Sequence, residues 1–129
     1  ALNRGKYTGT DSAGASLIHN APPSLPDYQF TVGADYSLAI GGGTLSFGAD
    51  FNKQDEFFST PDNLMIGYVK PTEYLNGYVG YETGPWKFQL SGKNLLQETS
   101  WQTGFGFSVI NPRFMTEPRR ILGTVRHSF

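Results

Sequence analysis

Apolar and polar residues alternate one by one along several stretches of this chain of 129 residues. In a β-strand, successive side chains point to opposite faces, so such alternation predicts strands with one apolar and one polar face. The pattern extends from Tyr28 to Leu38 and recurs over 44–57, 74–82, 86–93 and 119–129. The apolar positions of the first stretch are Tyr28, Phe30, Val32, Ala34, Tyr36 and Leu38. The sequence therefore predicts five strands.

Short turns and long loops alternate between these strands. Gly41–Gly43 and Gly84–Pro85 predict tight hairpin turns, because glycine accepts the positive φ angles that such turns require. The connections over 58–72 and 96–118 are much longer. We therefore expect an all-β, antiparallel up-and-down meander, with both short turns at the same end as Phe129. Transmembrane β-barrels combine short turns on one side with long loops on the other.

The predicted organisation is a single domain over residues 1–129. Residues 1–27 form a leading strand or loop, and residues 28–129 hold five barrel strands. A sixth strand is expected within residues 1–10. This architecture corresponds to a partial transmembrane β-barrel of five or six strands.

Composition leaves a soluble alternative open. Charged residues make up 16% of the chain, below the roughly 25% of soluble domains, and aromatic residues 15%, while mean hydropathy is −0.35. Soluble β-sandwiches and lipocalin-like barrels also alternate apolar and polar faces. The alternative is a small soluble or self-associating β-barrel that binds a lipophilic ligand. Its apolar row would converge inside, namely Phe30, Phe47, Val79, Phe88 and Val125. A small outer-membrane barrel closed by oligomerisation is a third interpretation.

Two features favour the membrane interpretation. Charged residues recur on the polar faces of consecutive strands, as a wetted lumen requires; they are Asp35, Asp50, Lys87, Lys93 and Arg126. Tyr and Trp gather near strand ends, where a membrane interface satisfies both their apolar body and their polar tip. These are Tyr28, Tyr36, Tyr81, Trp86 and Trp101.

No catalytic, cofactor or metal site is predicted. The chain has no cysteine, no apolar run near the roughly 20 residues of a helical span, and no Gly-x-Ser-x-Gly motif. His19 and His127 lie near opposite ends, and the acidic residues at 55–56 and 62 lack the spacing of a calcium loop. The net charge of −1 gives no indication of nucleic-acid binding. We therefore expect no enzyme.

Three segments resemble the C-terminal strands of TonB-dependent outer-membrane receptors. Asn20-Ala21-Pro22, followed by 30–36 (FTVGADY), is similar to the family's entry into a late barrel strand. The segment 92–98 (GKNLLQE) resembles its G-x-N-L-x-D segment, with Gln97 in place of the Asp. The segment 118–129 (PRRILGTVRHSF) resembles the closing strand, which ends on Phe.

This resemblance implies the closing part of a plugged receptor barrel of about 22 strands. The receptor would take up a scarce solute (a siderophore, vitamin or saccharide) across the outer membrane of a Gram-negative bacterium. The implied partners are outer-membrane lipid, the remainder of the barrel and plug, and the barrel-assembly machinery. TonB would act only through an N-terminal part that these residues lack, and any export signal would lie upstream. Open strand edges also predict self-association.

Two groups of residues are candidates for a specific role. The resemblance implies that Val125, His127 and Phe129 form the terminal signal read by the barrel-assembly machinery, by strand addition at an open edge. Loop aromatics are the second group, because their faces suit the apolar planes of a sugar or siderophore. They are Tyr68, Trp101, Phe105 and Phe107.

Overall fold

The fold is described from a computed structural model over residues 1–10, 14, 16–18, 20–104 and 113–129. The chain forms two compact units. The loop unit comprises Ala1–Phe30, Lys53–Thr72 and Thr99–Thr116. The sheet unit comprises Thr31–Asn52, Glu73–Glu98 and Glu117–Phe129.

Five strands form an antiparallel meander, as the alternation predicts. They lie in the sheet in the order in which they occur in the chain, so each of the three inner strands pairs with the sheet strand before it and the one after it. Their bounds are β1 Gln29–Ile40, β2 Gly43–Gln54, β5 Thr72–Thr83, β6 Trp86–Lys93 and β9 Arg120–His127. Strands β1 and β9 are the two edges of the sheet.

Glycine conformation explains the two tight turns. Gly41 and Gly42 between β1 and β2 have φ angles of 59° and 77°. Two consecutive positive φ angles are the signature of the type I′ hairpin turn, whose twist matches that of the flanking strands. Gly84, at φ 52°, supplies a single positive φ angle in the turn between β5 and β6, because the ring of Pro85 fixes its own φ at a negative value.

The long connections contain short ribbons that the sequence analysis did not predict. Strand β3 (Phe57–Phe58) pairs with β4 (Tyr68–Val69), and a 3-10 turn at Met65–Gly67 precedes β4. Strand β7 (Trp101–Gly104) pairs with β8 (Arg113–Met115), with a register irregularity after Trp101. Strands this short carry too few residues for a period of two to be visible.

The sixth strand expected within residues 1–10 is not formed as a strand. In this segment the structure gives isolated bridges, from Leu2 to Tyr28 and from Thr10 to Ser16. Ala1 nevertheless pairs with Gln29 through both backbone groups, at 2.5 and 3.0 Å. The leading segment therefore covers one end of the outer edge of β1.

Burial differs sharply between the units. The buried apolar side chains Leu17 and Val69 both belong to the loop unit. Within the sheet unit, no apolar side chain of the described residues is buried. An isolated sheet without a second layer has nowhere to bury its apolar face. The sheet unit thus depends on something outside itself to cover that face.

Candidate functional site

The apolar face of the sheet unit is continuous from strand to strand. Tyr81 on β5 lies opposite Phe88 on β6, which lies opposite Val125 on β9. Two residues further along each strand, Val79, Leu90 and Gly123 are paired in the same way. The pairing therefore joins the alternating rows into one apolar surface.

This surface is exposed rather than folded inward. The five residues that a soluble barrel would bring together inside are between 42% and 64% exposed: Phe30, Phe47, Val79, Phe88 and Val125. Leu45, Val79, Phe88 and Val125 line a shallow depression of about 360 Å³ rather than an enclosed cavity. Exposed apolar surface of this extent is typical of faces that meet lipid or another protein.

Aromatic rings gather where the apolar face approaches its short turns. His127 lies 4.4 Å from Trp86 and 4.7 Å from Phe129, measured between ring centroids. Trp86 stacks on Phe88 at 6.0 Å and 11° between the ring planes. Across the sheet, Tyr36 and Phe47 are in ring contact at 5.7 Å. We call these residues, together with Tyr81, the aromatic band.

Tyr81 joins the aromatic band to the first hairpin turn. Its hydroxyl donates to the carbonyls of Ile40 and Gly41 at 3.1 and 3.2 Å. The ring lies over Gly43, where a Cβ atom would come within 2.8 Å of the ring carbon Cζ and the hydroxyl oxygen. A larger residue at position 43 would therefore clash with the Tyr81 ring. Glycine allows the Tyr81 hydroxyl to reach the carbonyls of the turn.

The polar face carries a hydrogen-bond network that the sequence analysis did not identify. The Asn76 amide donates to the Asp50 carboxylate at 2.8 Å. The Asn52 amide donates to the same carboxylate at 3.2 Å and accepts from the Thr31 hydroxyl at 2.5 Å. Three neighbouring strands are linked in this way. Its sequence signal is the run of Asp and Asn at polar-face positions of β2 and β5.

A second hydrogen bond on the polar face connects β1 with β5 across β2, the strand between them. The Tyr78 hydroxyl on β5 donates to the Asp35 carboxylate on β1 at 2.8 Å. Gly48 on β2 lies between them, and a Cβ atom there would come within 2.7 Å of the Tyr78 ring and still closer to the Asp35 carboxylate. A glycine in a strand interior often marks a close approach of this kind.

Basic residues dominate the polar face near β9. Lys87 forms an ion pair with Glu82 and lies opposite Arg126, while Lys93 lies opposite Arg120. Like charges directly opposite each other destabilise a strand pair. The polar face therefore has acidic groups on β1 and β2 and a basic side on β6 and β9.

Asn94 organises the turn that follows β6. It is 4% exposed and has φ +50°, the left-handed conformation that Asn tolerates better than most residues. Its amide donates to the carbonyls of Glu98 and Glu117 at 2.7 and 3.0 Å, and its side-chain oxygen accepts from the Glu98 N–H at 2.8 Å. The Asn94 N–H donates to the side chain of Asn76 at 3.0 Å. The asparagine in the segment resembling G-x-N-L therefore has a structural role.

The structure brings the predicted C-terminal residues together in part. His127 and Phe129 are in ring contact within the aromatic band, whereas Val125 lies one rung further along the apolar face, opposite Phe88. Val125 and His127 lie on the edge strand β9, and Phe129 follows the end of that strand.

The strands that carry the predicted loop aromatics Tyr68 and Trp101, β4 and β7, contact each other, and each of the two rings has its own further partner. The Tyr68 ring contacts Phe58 at 5.6 Å, and its hydroxyl donates to Glu56 at 2.7 Å. This hydrogen bond raises the pKa of Tyr68 above its usual value, and desolvation and the charges of Glu56 and Asp55 act in the same direction. Trp101 lies under the Arg113 guanidinium at 5.3 Å, a cation–π contact. Phe105 and Phe107, like His19, lie outside the described residues.

The described residues contain no group of three His, Cys, Asp or Glu side chains placed to hold a metal ion. Over the same part of the chain, no helix is long and apolar enough to span a membrane. Comparison of the whole chain with protein-family models, with curated proteins and with solved structures finds no match.

Proposed function

We propose that this chain is the C-terminal part of the barrel of a TonB-dependent outer-membrane receptor. The parent protein would use energy delivered through TonB to take up a scarce solute, of the siderophore, vitamin or saccharide class. The chain would contribute barrel wall, two extracellular loops and the terminal strand that the assembly machinery reads. The observation that carries the proposal is the exposed apolar face of a five-stranded meander with an aromatic band at its short-turn end.

Both features suit a lipid-facing wall. Acyl chains would remove the exposed apolar side chains from water, at roughly 25 cal/mol per Å² of apolar surface covered. Trp, Tyr and His rings at one end of the strands fit the interfacial girdle of outer-membrane barrels. The acidic and basic side chains of the opposite face would line a wet lumen.

The described strands support this function over the lipophilic-ligand alternative. A soluble barrel of that kind needs its apolar row inside, yet Phe47, Val79 and Phe88 are each at least 42% exposed. Closure of the barrel would be completed by the remaining strands of the receptor, because single-chain membrane barrels need about eight strands or more.

A first experiment compares media. Urea-unfolded chain is diluted into plain buffer and into detergent micelles, and far-UV circular dichroism and size-exclusion chromatography follow. We expect β structure and a discrete peak in micelles, and aggregation in buffer. A monodisperse β protein in plain buffer would refute the lipid-facing assignment and support a soluble barrel.

A matched pair of substitutions tests sidedness directly. Leu90 lies on the apolar face of β6 and is 52% exposed, and Gln89 beside it points to the polar face. In micelles, Leu90→Arg should lower the free energy of unfolding by about 2–4 kcal/mol, the cost of arginine on a lipid-facing barrel surface. Gln89→Arg should change it by no more than about 0.5 kcal/mol. Equal effects at both positions would contradict a lipid-facing apolar row.

Tryptophan quenching locates the aromatic band. The chain has two tryptophans, so Trp101→Phe leaves Trp86 as the sole fluorophore and Trp86→Phe leaves Trp101. In vesicles of lipids brominated at different acyl depths, Trp86 should be quenched most by bromines nearest the headgroups. Absence of quenching at every depth would show that Trp86 does not meet lipid.

A further inference from the structure

We propose that the polar surface of β6 and β9 binds an extended, acidic polypeptide segment whose carboxylates are spaced six residues apart. In the receptor this surface would face the lumen, so the segment would belong to the part of the protein that the barrel encloses. To that extent the proposal rests on the proposed function. Its evidence is the charge, the exposure and the strand register of this one surface.

Opposed pairs of basic residues lie at both ends of the surface. Lys87 on β6 lies opposite Arg126 on β9, and six residues along β6 Lys93 lies opposite Arg120. All four side chains are on the polar face, because they alternate with the apolar-face residues of the two strands. Like charges directly opposite each other destabilise a strand pair. An anion bound at either end would therefore stabilise the sheet.

One basic residue of each opposed pair has an acidic neighbour. Lys87 pairs with Glu82, while Arg120 lies 4.0 Å from a glutamate three residues before it. The other basic residues, Lys93 and Arg126, form no ion pair within the part of the chain that the structure describes. Both are exposed. One cation at each end of the surface is therefore available to a partner.

A large apolar side chain lies between the two charged ends. Leu122 is on the polar face of β9, opposite Ser91, and is 56% exposed. Water or a small anion leaves such a side chain uncovered, whereas a polypeptide segment can bury it beneath one of its own apolar side chains. The exposed leucine on the polar face thus favours a polypeptide over a dissolved anion as the occupant.

Strand geometry sets the spacing of the carboxylates. Lys93 and Arg126 belong to opposed pairs that are six residues apart along the strands, roughly 20 Å at about 3.4 Å per residue. A single small anion cannot contact both cations over this distance. An extended segment rises by the same amount per residue, and its residues i and i+6 share a face. Carboxylates at these two positions would contact both cations.

Lys93 gives a measurement that does not depend on what lies beside β9. Strand β6 lies between β5 and β9 in the sheet. In a complete barrel, a further strand beside β9 would lie closest to Arg120 and Arg126, and β9 would separate it from Lys93. The amine of Lys93 is also a group that a carbodiimide couples to a carboxylate. Coupling at Lys93 therefore reports the proposed contact directly.

The experiment uses the full chain in detergent micelles and two acetylated, amidated heptapeptides of equal composition. The probe, Glu-Ser-Val-Ser-Val-Ser-Glu, has its carboxylates six residues apart on one face. The control, Glu-Ser-Val-Glu-Val-Ser-Ser, has them three apart on opposite faces. After carbodiimide coupling and digestion, mass spectrometry measures the labelled fraction of each lysine. With the probe, Lys93 should carry roughly fivefold more label than Lys6, an exposed lysine of the loop unit, and the control should not distinguish the two.

A second measurement connects the two cations. Arg126→Gln should lower probe labelling of Lys93 about threefold, because the second carboxylate loses its cation, and Arg126→Lys should restore it. Labelling of Lys93 by the control peptide should stay the same in all three chains. A folding defect of Arg126→Gln would instead lower labelling by both peptides alike, so it cannot imitate the expected result.

Three outcomes would overturn the proposal. They are equal probe labelling of Lys93 and Lys6, equal labelling of Lys93 by the two peptides, and unchanged probe labelling in Arg126→Gln. Galacturonic acid, a solute with a single carboxylate, is coupled in parallel; labelling of Lys93 at the level of the probe would assign the surface to small anions and equally refute the acidic segment. None of these results affects the comparison of Leu90→Arg with Gln89→Arg, which tests the lipid-facing row, so the receptor function stands or fails separately.

Discussion

Replacement of Gly48 by alanine tests the link that crosses β2 on the polar face. The added Cβ would come within 2.7 Å of the Tyr78 ring, closer than atoms in proteins approach, so the ring or Asp35 must move. Either movement breaks the 2.8 Å hydrogen bond from Tyr78 to Asp35. The expected result is loss of that bond together with displacement of a tyrosine ring from the polar face.

The magnitude follows from two opposing terms. An extra methyl group forced into occupied space costs roughly 1–3 kcal/mol, and the exposed Asp35 side chain can relax, which reduces the value to about 1–2 kcal/mol. Alanine in place of glycine in a strand raises the free energy of unfolding by roughly 0.5–1 kcal/mol, because it lowers the backbone entropy of the unfolded chain. The control is Gly123→Ala on β9, where an added Cβ meets nothing within 4 Å. Gly48→Ala should therefore be about 1–2 kcal/mol less stable than Gly123→Ala.

Urea unfolding in detergent micelles, followed by tryptophan fluorescence, measures both variants. A double-mutant cycle isolates the cause, because Tyr78→Ala removes the ring and the hydroxyl together. In that background the Asp35 side chain has no hydrogen bond to Tyr78 to lose and can move away from the added Cβ, so Gly48→Ala should match Gly123→Ala within about 0.5 kcal/mol. If Gly48→Ala costs the same with and without Tyr78, the reasoning about the crossing link is wrong.

Three further predictions concern other contacts. Asn94→Ala should lower the free energy of unfolding by about 3 kcal/mol, from three side-chain hydrogen bonds of about 1 kcal/mol each, as measured by urea unfolding. Tyr81→Phe should cost about 1 kcal/mol in the same assay, because the turn carbonyls lose their donor. Absorbance titration, with Tyr68→Phe as reference, should show the pKa of Tyr68 above its usual value, and Glu56→Gln should lower it. The stabilisation from this bond should persist below the usual tyrosine pKa and disappear as pH rises through the raised pKa.

The strands could be predicted because apolar and polar side chains alternate along them from one residue to the next. Strand β6 begins and ends where the alternation predicts, at Trp86 and Lys93. Strand β1 was predicted over Tyr28 to Leu38 and extends from Gln29 to Ile40, since the hairpin pairing continues up to the two glycines of the turn. The antiparallel meander is thereby confirmed. Closure into a barrel, the membrane location and the transport function remain predictions.

The polar network was not predictable from the alternation. Its links join residues far apart in sequence, such as Tyr78 and Asp35, which are 43 positions apart. Alternation assigns each residue to a face, but it does not say which residues of neighbouring strands lie opposite each other. The role of Gly48 depends entirely on that register, and the sequence alone shows only a small residue at a polar-face position.

The two faces of the sheet unit therefore stabilise different aspects of one structure. An apolar face that meets a uniform medium fixes the register of neighbouring strands only to within two residues, because a slip of two keeps every apolar side chain on the same face. Such a slip would still separate Tyr78 from Asp35 and Asn76 from Asp50. These side-chain bonds thus discriminate between registers that apolar burial leaves equivalent. The hydrogen bonds of the polar network specify the register of β1, β2 and β5. Whether the sheet forms depends on the medium or protein that covers its apolar face.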